Sequence, residues 1–292
     1  MNTFNPQAEE TFARMPDFAE VLRRHGVLRE PPPIPSMNVS AASAAGTIGG
    51  VPVTQATTIL AFKFCGGVLM AGDRRATAGN LVVYDRADKV LEIDQYSLMA
   101  IAGVPATAWE MARMLEHTFQ FYRRSQLQEL SHEGKLRALS KLLRDNIGLA
   151  MQGVGVVVPL FASYDLQAAT PRLYFYDVMG ARFEVADFAA SGSGSPSVRA
   201  VLQYANAYGP RPLPKMNEEE ALLLALRALD TAAQNDTATG GVDRHAQVYP
   251  IIKIVNEGGI TTVPEAVLAK AYQRDLQSLP KNAAVLLTTE TE

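Results

Sequence analysis

The order of strand-like and helix-like patterns after residue 56 is the feature that most restricts the fold of this chain. Apolar runs typical of strands occur in groups, and apolar residues spaced three and four apart, typical of helices, occur in groups between them. The resulting order is strands, two helices, strands, two helices, strands and one helix. Because strands neighbour strands, the pattern predicts an α+β domain of two packed sheets with helices outside both, rather than an alternating parallel sheet.

Glycine turns, prolines and helix caps set the boundaries of the predicted elements. TTILAFKF and GGVLMAGD form a predicted hairpin around a Cys-Gly-Gly turn, and KVLEID pairs with YSLMAIAG. Three helices are predicted over 105–124, 132–152 and 196–208. A fourth helix is predicted to begin at Asn217, which forms a capping box with Glu220, and a fifth to begin at Pro264. The other predicted strands are VVVPLFASYDL, RLYFYDVMG, RFEVADFAASG, VYPIIKIV and GITTVP.

The first 56 residues differ in composition from the rest of the chain. They contain seven of the 17 prolines and a small-residue stretch, SMNVSAASAAGTIGG. Such a segment has little apolar surface to bury, so we expect it to be extended or disordered. It is either a flexible tail or a removable leader, and the abrupt change at Thr57 favours the leader. We divide the chain into a leader over 1–56, a folded domain over 57–280 and a C-terminal tail over 281–292.

Charge and composition argue against several classes of protein. The net charge of −3 gives no general reason to expect a nucleic acid or an anionic membrane as a partner. The longest apolar stretch, 153–162, is shorter than the ~20 residues of a membrane span, and the acidic N-terminus does not resemble a secretory signal. The single cysteine, Cys65, excludes an intrachain disulfide. We therefore expect a soluble, cytoplasmic protein.

The histidines argue against two common hydrolytic mechanisms. His25, His117, His132 and His245 are not at metal-ligand spacing, and no G-x-S-x-G sequence is present. The sequence therefore predicts no metal, no cofactor and no Ser-His-Asp triad. The glycine-rich run over 191–196 lacks the lysine of a phosphate-binding loop, and we interpret it as a strand-to-helix turn.

The junction between Ala56 and Thr57 carries the strongest chemical signal. If this bond were cut, Thr57 would have both a hydroxyl and a free α-amine with a pKa of about 7.7–8.0, and the amine could act as the base for the hydroxyl. Asp73 ends a predicted strand and Lys89 begins another. A lysine near the hydroxyl would favour loss of its proton, and an aspartate beside the lysine would orient it. The alternatives are ordinary strand threonines and a surface ion pair.

From Thr57 to about Leu268 the chain resembles a β subunit of the 20S proteasome, most closely the bacterial type. The motifs that carry the resemblance are Thr57-Thr58-Ile59, MAGDRRATAGN over 70–80, Lys89-Val90, Ala100-Ile101-Ala102-Gly103, GSGS over 192–195 and NDTATGG over 235–241. Each motif is weak alone, but together they occur in family order over some 200 residues. The resemblance implies an N-terminal-nucleophile hydrolase fold, a four-layer αββα sandwich of two antiparallel sheets flanked by helices.

The resemblance also implies a role for each matching residue. Thr57 would be nucleophile and, through its amine, general base, with Asp73 and Lys89 in support. The backbone N–H of Gly103 would stabilise the oxyanion. Ser193, Asp236 and Thr239 would surround the threonine amine, although the family often has serine where Thr239 stands.

The same resemblance implies how a substrate would bind. The backbone of Thr77 would pair with the extended peptide. The predicted pocket for the substrate side chain is apolar or small throughout, and its residues are Ala76, Ala87, Leu91, Ile101, Pro105 and Trp109. An unpaired charge buried there would be costly, so we expect cleavage after apolar or aromatic residues.

One residue departs from the family pattern. The family usually has glycine immediately before the catalytic threonine, and this chain has Ala56. Because glycine eases the strained backbone of self-cleavage, alanine could slow processing or leave it unchanged.

The resemblance implies partners as well as chemistry. These are other β subunits in heptameric rings, proteasome α subunits, an external ATP-dependent unfoldase and unfolded protein substrates. One alternative is the simpler two-ring ATP-dependent bacterial peptidase of the same fold, in which Gly-Gln usually stands where this chain has Arg74-Arg75. The other alternative is a non-catalytic ring subunit.

Overall fold

The computed structural model describes residues 47–48, 51–52, 57–78, 81–153, 155–243 and 246–275. Most of the predicted leader, including Ala56, and the whole predicted tail over 281–292 lie outside the described residues. Within the described part of the chain, no helix is long and apolar enough to cross a membrane. The same residues contain no group of three or more His, Cys, Asp or Glu side chains placed to hold a metal ion.

Fourteen strands and six α-helices make up the described chain. The strands are β1 Thr47–Ile48, β2 Val51–Pro52, β3 Thr58–Phe64, β4 Gly67–Gly72, β5 Ala76–Ala78, β6 Leu81–Tyr84, β7 Val90–Asp94, β8 Ser97–Ala100, β9 Leu160–Asp165, β10 Thr170–Tyr176, β11 Arg182–Glu184, β12 Phe188–Gly192, β13 Ile251–Asn256 and β14 Gly259–Thr262. The helices are α1 Pro105–Gln126, α2 His132–Asp145, α3 Ile147–Met151, α4 Ser195–Tyr208, α5 Glu218–Asn235 and α6 Glu265–Asp275, with a 3₁₀ turn at Leu213–Lys215.

Two five-stranded antiparallel sheets form the middle of the domain. The first sheet has the order β12-β3-β4-β13-β14, and the second has the order β11-β10-β9-β8-β7. Two shorter antiparallel pairs, β1 with β2 and β5 with β6, stand apart from these sheets. The β3–β4 and β7–β8 hairpins were both expected from the sequence.

Strands β3 and β4 of the first sheet are buried on both faces, which accounts for their continuous apolar sequence. On β3, Ile59 and Ala61 face the second sheet, whereas Leu60 and Phe62 face helices α4 and α5. A third cluster lies between the second sheet and helices α1 and α2. The layers are therefore helices, sheet, sheet and helices, and the predicted four-layer αββα sandwich is confirmed.

The predicted cap of α5 has the expected geometry. The Asn217 side chain accepts a hydrogen bond from the Glu220 N–H at 2.9 Å, and the Glu220 carboxylate accepts one from the Asn217 N–H at 2.9 Å. This capping box satisfies backbone donors that the first helical turn leaves unpaired. It fixes the start of the helix whose other end leads into Asp236.

Several predicted elements have different boundaries in the structure. RFEVADFAASG was expected to be one strand but forms β11 and β12, which belong to different sheets, because the chain crosses between the sheets after Glu184. The helix expected over 132–152 breaks at Asn146, whose side chain donates to the Gly155 carbonyl at 2.5 Å. VVVPLFASYDL begins its strand at Leu160 rather than at Val156.

Candidate active site

Thr57 immediately precedes β3 and lies beside the end of the neighbouring strand β12. The residue is 3% exposed, and its carbonyl oxygen accepts a hydrogen bond from the Ser193 N–H at 2.9 Å. Gly192 makes this approach possible, because a Cβ atom there would overlap the Thr57 carbonyl oxygen. Gly192 also has a φ of +93°, which non-glycine residues rarely adopt. The glycine turn at the end of β12 therefore fixes the position of Thr57.

Asp73 is fully buried at the end of β4 and accepts four hydrogen bonds. One carboxylate oxygen receives the Thr58 N–H at 2.8 Å and the Lys89 ammonium at 2.7 Å. The other oxygen receives the N–H groups of Arg75 at 3.0 Å and Gly240 at 2.9 Å. Four donors compensate the desolvation of the buried carboxylate. Asp73 therefore holds β3, Lys89 and the loop after α5 in one arrangement.

Lys89 is 3% exposed and lies just before β7. Its ammonium group donates to Asp73 at 2.7 Å and to the Arg75 carbonyl oxygen at 2.5 Å. Burial lowers the pKa of Lys89, and the nearby Asp73 carboxylate opposes part of that shift. The sequence left open a weak surface ion pair between Asp73 and Lys89, but the observed pair is buried.

Ser193, Asp236 and Thr239 form a second cluster beside Thr57. The Asp236 carboxylate accepts hydrogen bonds from the Ser193 hydroxyl at 2.6 Å and the Thr239 hydroxyl at 2.5 Å. Partial burial acts to raise the pKa of Asp236, but these two hydrogen bonds and one from the Ala238 N–H outweigh it, so the pKa is lowered. Asp236 is therefore an ionised acceptor at neutral pH.

A cavity of about 530 Å³ opens beside these residues. Thr57, Lys89 and Gly103 all line it. Gly103 has a φ of +116°, and a Cβ atom there would overlap the Val156 carbonyl oxygen. Position 103 therefore requires glycine, and the backbone of this residue forms part of the cavity wall.

Five of the six predicted pocket residues line this cavity. They are Ala76, Ala87, Ile101, Pro105 and Trp109. Leu91 is not among the lining residues, because it packs against the cluster beneath α1. Other lining residues had not been expected, and they are Val83, Tyr84, Ala102, Val104, Ala106 and Ala108. Thr77 is buried on the short strand β5, where it pairs with Val82 of β6.

Thr58 belongs to the same cluster, although sequence reasoning gave it no role. It is fully buried, and its hydroxyl accepts a hydrogen bond from the Gly194 N–H at 3.0 Å and lies 2.6 Å from the Thr239 hydroxyl. Its backbone N–H donates to Asp73. A threonine in a strand is ordinary, so nothing in the sequence distinguished Thr58 from its neighbours.

The fold and the site together define a class of protein. Two antiparallel sheets between helical layers, with a buried cluster of Thr57, Asp73 and Lys89 at the start of a central strand, are the architecture of the N-terminal-nucleophile hydrolases. A family model described as Proteasome subunit matches residues 53–248. The chain therefore belongs to the proteasome subunit family.

Relatives of this chain identify the type of subunit. The proteasome subunit beta of Acidimicrobium ferrooxidans is 37% identical over 253 residues, which cover 87% of this chain and 86% of the relative. The proteasome subunit beta 2 of Thermomonospora curvata is 40% identical over 218 residues, 75% of each chain. The proteasome subunit beta of Streptomyces griseus is 40% identical over 211 residues, 72% of this chain and 73% of the relative. The prediction of a bacterial-type proteasome β subunit, a peptidase of the proteasome core, is confirmed.

Proposed function

We propose that this chain is a threonine endopeptidase whose nucleophile is Thr57. The observation that carries the proposal is the joint position of Thr57, Lys89 and Gly103 on one cavity, with Lys89 paired to the buried Asp73. This arrangement supplies a nucleophile, a cation near it and a backbone group for an oxyanion without a histidine or a metal.

The proposed reaction begins after the Ala56–Thr57 bond is broken. The Thr57 hydroxyl attacks the carbonyl carbon of the scissile peptide bond, and its proton passes to the free α-amine of the same residue. The Gly103 N–H stabilises the oxyanion that forms. The protonated α-amine of Thr57 then gives its proton to the leaving amine of the substrate, and an ester on Thr57 remains. Water hydrolyses this ester, with the α-amine of Thr57 as the base.

Lys89 and Asp73 support this chemistry electrostatically. A buried ammonium close to the hydroxyl stabilises the developing alkoxide more strongly than it would in water. Asp73 keeps the ammonium in place, and its own backbone donors keep Asp73 in place. Ser193, Asp236 and Thr239 form the proposed surroundings of the α-amine, where an ionised carboxylate favours protonation during the reaction.

The cavity supports a preference for apolar or aromatic residues on the carbonyl side of the cleaved bond. Apart from Thr57 and Lys89, the side chains that line it are small, aliphatic or aromatic. Burying a second charge there without a partner is costly. We expect peptides ending in Leu, Tyr or Phe before a fluorogenic group to be cleaved faster than those ending in Arg or Asp. Faster cleavage after Arg or Asp would contradict the proposal.

We propose that residues 1–56 are a propeptide that blocks the Thr57 amine until the ring assembles. Intact-mass analysis of the assembled protein tests this, because processing gives a chain that begins at Thr57. Only full-length chain in an active particle would contradict it. Ala56→Gly should speed processing, since glycine eases the backbone strain of self-cleavage.

The proposed setting is the cytoplasm, in heptameric β rings that stack with rings of α subunits and receive unfolded chains from an ATP-dependent unfoldase. One feature of the chain supports contacts with other subunits. The four residues of β6, Leu81 to Tyr84, are apolar and 54–73% exposed. A continuous exposed apolar strand of this kind is typical of an interface.

Substitution of the proposed nucleophile tests the central claim. Thr57→Ala should abolish peptide hydrolysis by the assembled particle, because both the hydroxyl attack and self-processing are lost. Thr261→Ala is the matched control, since Thr261 is an exposed threonine on β14. Wild-type activity in Thr57→Ala, measured with a fluorogenic peptide, would refute the proposed function.

A further inference from the structure

We propose that Thr58 is a positioning residue for the reaction, and that its hydroxyl holds Thr57 and the Ser193–Asp236–Thr239 cluster in register. This inference rests on the proposed function of Thr57. It concerns a side chain that is fully buried and that does not line the cavity among the residues described. Thr58 therefore acts through other residues rather than on substrate.

Every polar group of Thr58 is bonded to a part of the site. Its N–H donates to the Asp73 carboxylate at 2.8 Å, and its carbonyl oxygen accepts the Asp73 N–H at 3.0 Å. On the opposite side of the residue, its hydroxyl forms hydrogen bonds with the Gly194 N–H and with the Thr239 hydroxyl. The residue adjoining Thr57 thus links the Asp73 side of the site to the Asp236 side.

The hydrogens of this network can be assigned in one direction. Each hydroxyl has one hydrogen to donate, and an ionised carboxylate has none. Thr239 gives its hydrogen to Asp236 at 2.5 Å, so Thr58 must be the donor in its 2.6 Å contact with Thr239. The chain then runs from the Gly194 N–H through Thr58 and Thr239 to Asp236. In such a chain each hydrogen bond strengthens the next.

Gly194 shows how closely this network is packed. A Cβ atom at position 194 would overlap the hydroxyl oxygens of both Thr58 and Thr239. No space is therefore left for a water molecule to replace the Thr58 hydroxyl between these groups. Removing the hydroxyl leaves the Gly194 N–H without this acceptor, and Thr239 without this donor.

Loss of the Thr58 hydroxyl has an expected kinetic signature. Thr58→Val keeps the shape of the side chain but breaks the network, so Thr57 and the cluster beside it can shift relative to each other. Small misplacements of catalytic groups reduce rates by about tenfold to hundredfold. We expect a loss of this size in kcat with KM within about twofold, since the substrate cavity is intact. Thr58→Ser keeps the hydroxyl and should stay within about threefold of the parent rate.

The pH profile distinguishes positioning from a general loss of packing. Asp236 receives hydrogen bonds from Ser193, Thr239 and the Ala238 N–H, and it faces the charges of Arg75 and Lys89. The acid limb of kcat/KM reports protonation of the α-amine, the proposed base, and a displaced Asp236 carboxylate stabilises the protonated amine less, so this limb moves to lower pH in Thr58→Val. The limb should not move in Thr58→Ser.

The experiment measures kcat, KM and the acid limb on assembled particles, with the processed fraction counted by intact mass. Thr118→Val is the matched control, because it removes a hydroxyl that bonds the Met114 carbonyl on α1, and it should match the parent. A Thr58→Val particle that keeps its leader while Thr58→Ser is processed also supports the proposal, since leader release uses the same Thr57 hydroxyl.

Two outcomes would overturn the inference. One is parent-like kcat and an unmoved acid limb in processed Thr58→Val particles. The other is failure of Thr58→Val and Thr58→Ala to assemble while Thr58→Ser assembles, because the hydroxyl would then serve folding. An active Thr57→Ala would instead refute the proposed function, so the two failures are distinguishable.

Discussion

Asp73→Asn tests how much of the site's stability depends on one buried carboxylate. The two oxygens of Asp73 each accept two hydrogen bonds, from Thr58 and Lys89 on one side and from Arg75 and Gly240 on the other. Asparagine has a single acceptor oxygen, and its NH₂ group must face one of these pairs of donors. In either orientation two hydrogen bonds become contacts between donors.

The expected cost follows from these losses. Two broken hydrogen bonds at a buried site cost about 1–1.5 kcal/mol each, and a buried Lys89 without its charge partner adds further cost. We expect Asp73→Asn to lower the free energy of unfolding by about 3–5 kcal/mol. Lys89→Met should cost only about 2 kcal/mol, because Asp73 keeps three backbone donors.

Denaturation of the full-length chain measures these values. Trp109 is the only tryptophan and lies at the cavity, so its fluorescence reports on this region. The double variant Asp73→Asn with Lys89→Met should be more stable than the sum of the single losses by about 1 kcal/mol or more, since it removes the unpaired ammonium. A loss below about 1 kcal/mol for Asp73→Asn, or strictly additive losses, would refute the reasoning.

Three further predictions follow from other parts of the structure. Gly192→Ala should cost at least ~2 kcal/mol more than Gly66→Ala in denaturant unfolding, because both positions have positive φ but only at Gly192 would the Cβ meet backbone atoms. Equal costs would contradict this. Burial lowers the pKa of His132, so the unfolded chain binds the extra proton more readily, and stability should fall as pH drops through and below about 6.5. His132→Gln should weaken that dependence in urea titrations at several pH values, and an identical slope would exclude His132 as its source. Trp109→Ala should lower kcat/KM about tenfold for peptides with Phe on the carbonyl side of the cleaved bond, and by less for peptides with Ala at that position. An equal loss for both peptides would show that Trp109 does not set the preference for aromatic residues.

Much of the fold could be predicted because its signals are local. The change from period two to period 3.6 marks each group of strands and helices, and the capping box at Asn217 needs only residues three apart. The family motifs alone predicted that one site contains Thr57, Asp73, Lys89, Ser193 and Asp236.

Other features could not be predicted because they depend on which segments meet in space. RFEVADFAASG has the pattern of one strand, but the sheet to which a strand belongs is decided by its pairing partners. Its first part, β11, pairs with β10 in the second sheet, whereas its last part, β12, pairs with β3 in the first sheet. Strand β6 is exposed, so its contribution of Val83 and Tyr84 to the cavity leaves no burial pattern in the sequence.

Strand register is the physical link between these local patterns and the site. In the first sheet Gly192 stands opposite Thr58, and Ile59 stands opposite Gly72, so the ends of β12 and β4 meet the start of β3. The residues that follow, Ser193 and Asp73, are thereby placed on either side of Thr57 and Thr58. A slip of one residue would turn every side chain of the strand to the opposite face of the sheet and separate these groups. The apolar alternation of β3, with Ile59 toward one layer and Leu60 toward the other, therefore sets the geometry of the proposed catalytic residues as well as the core.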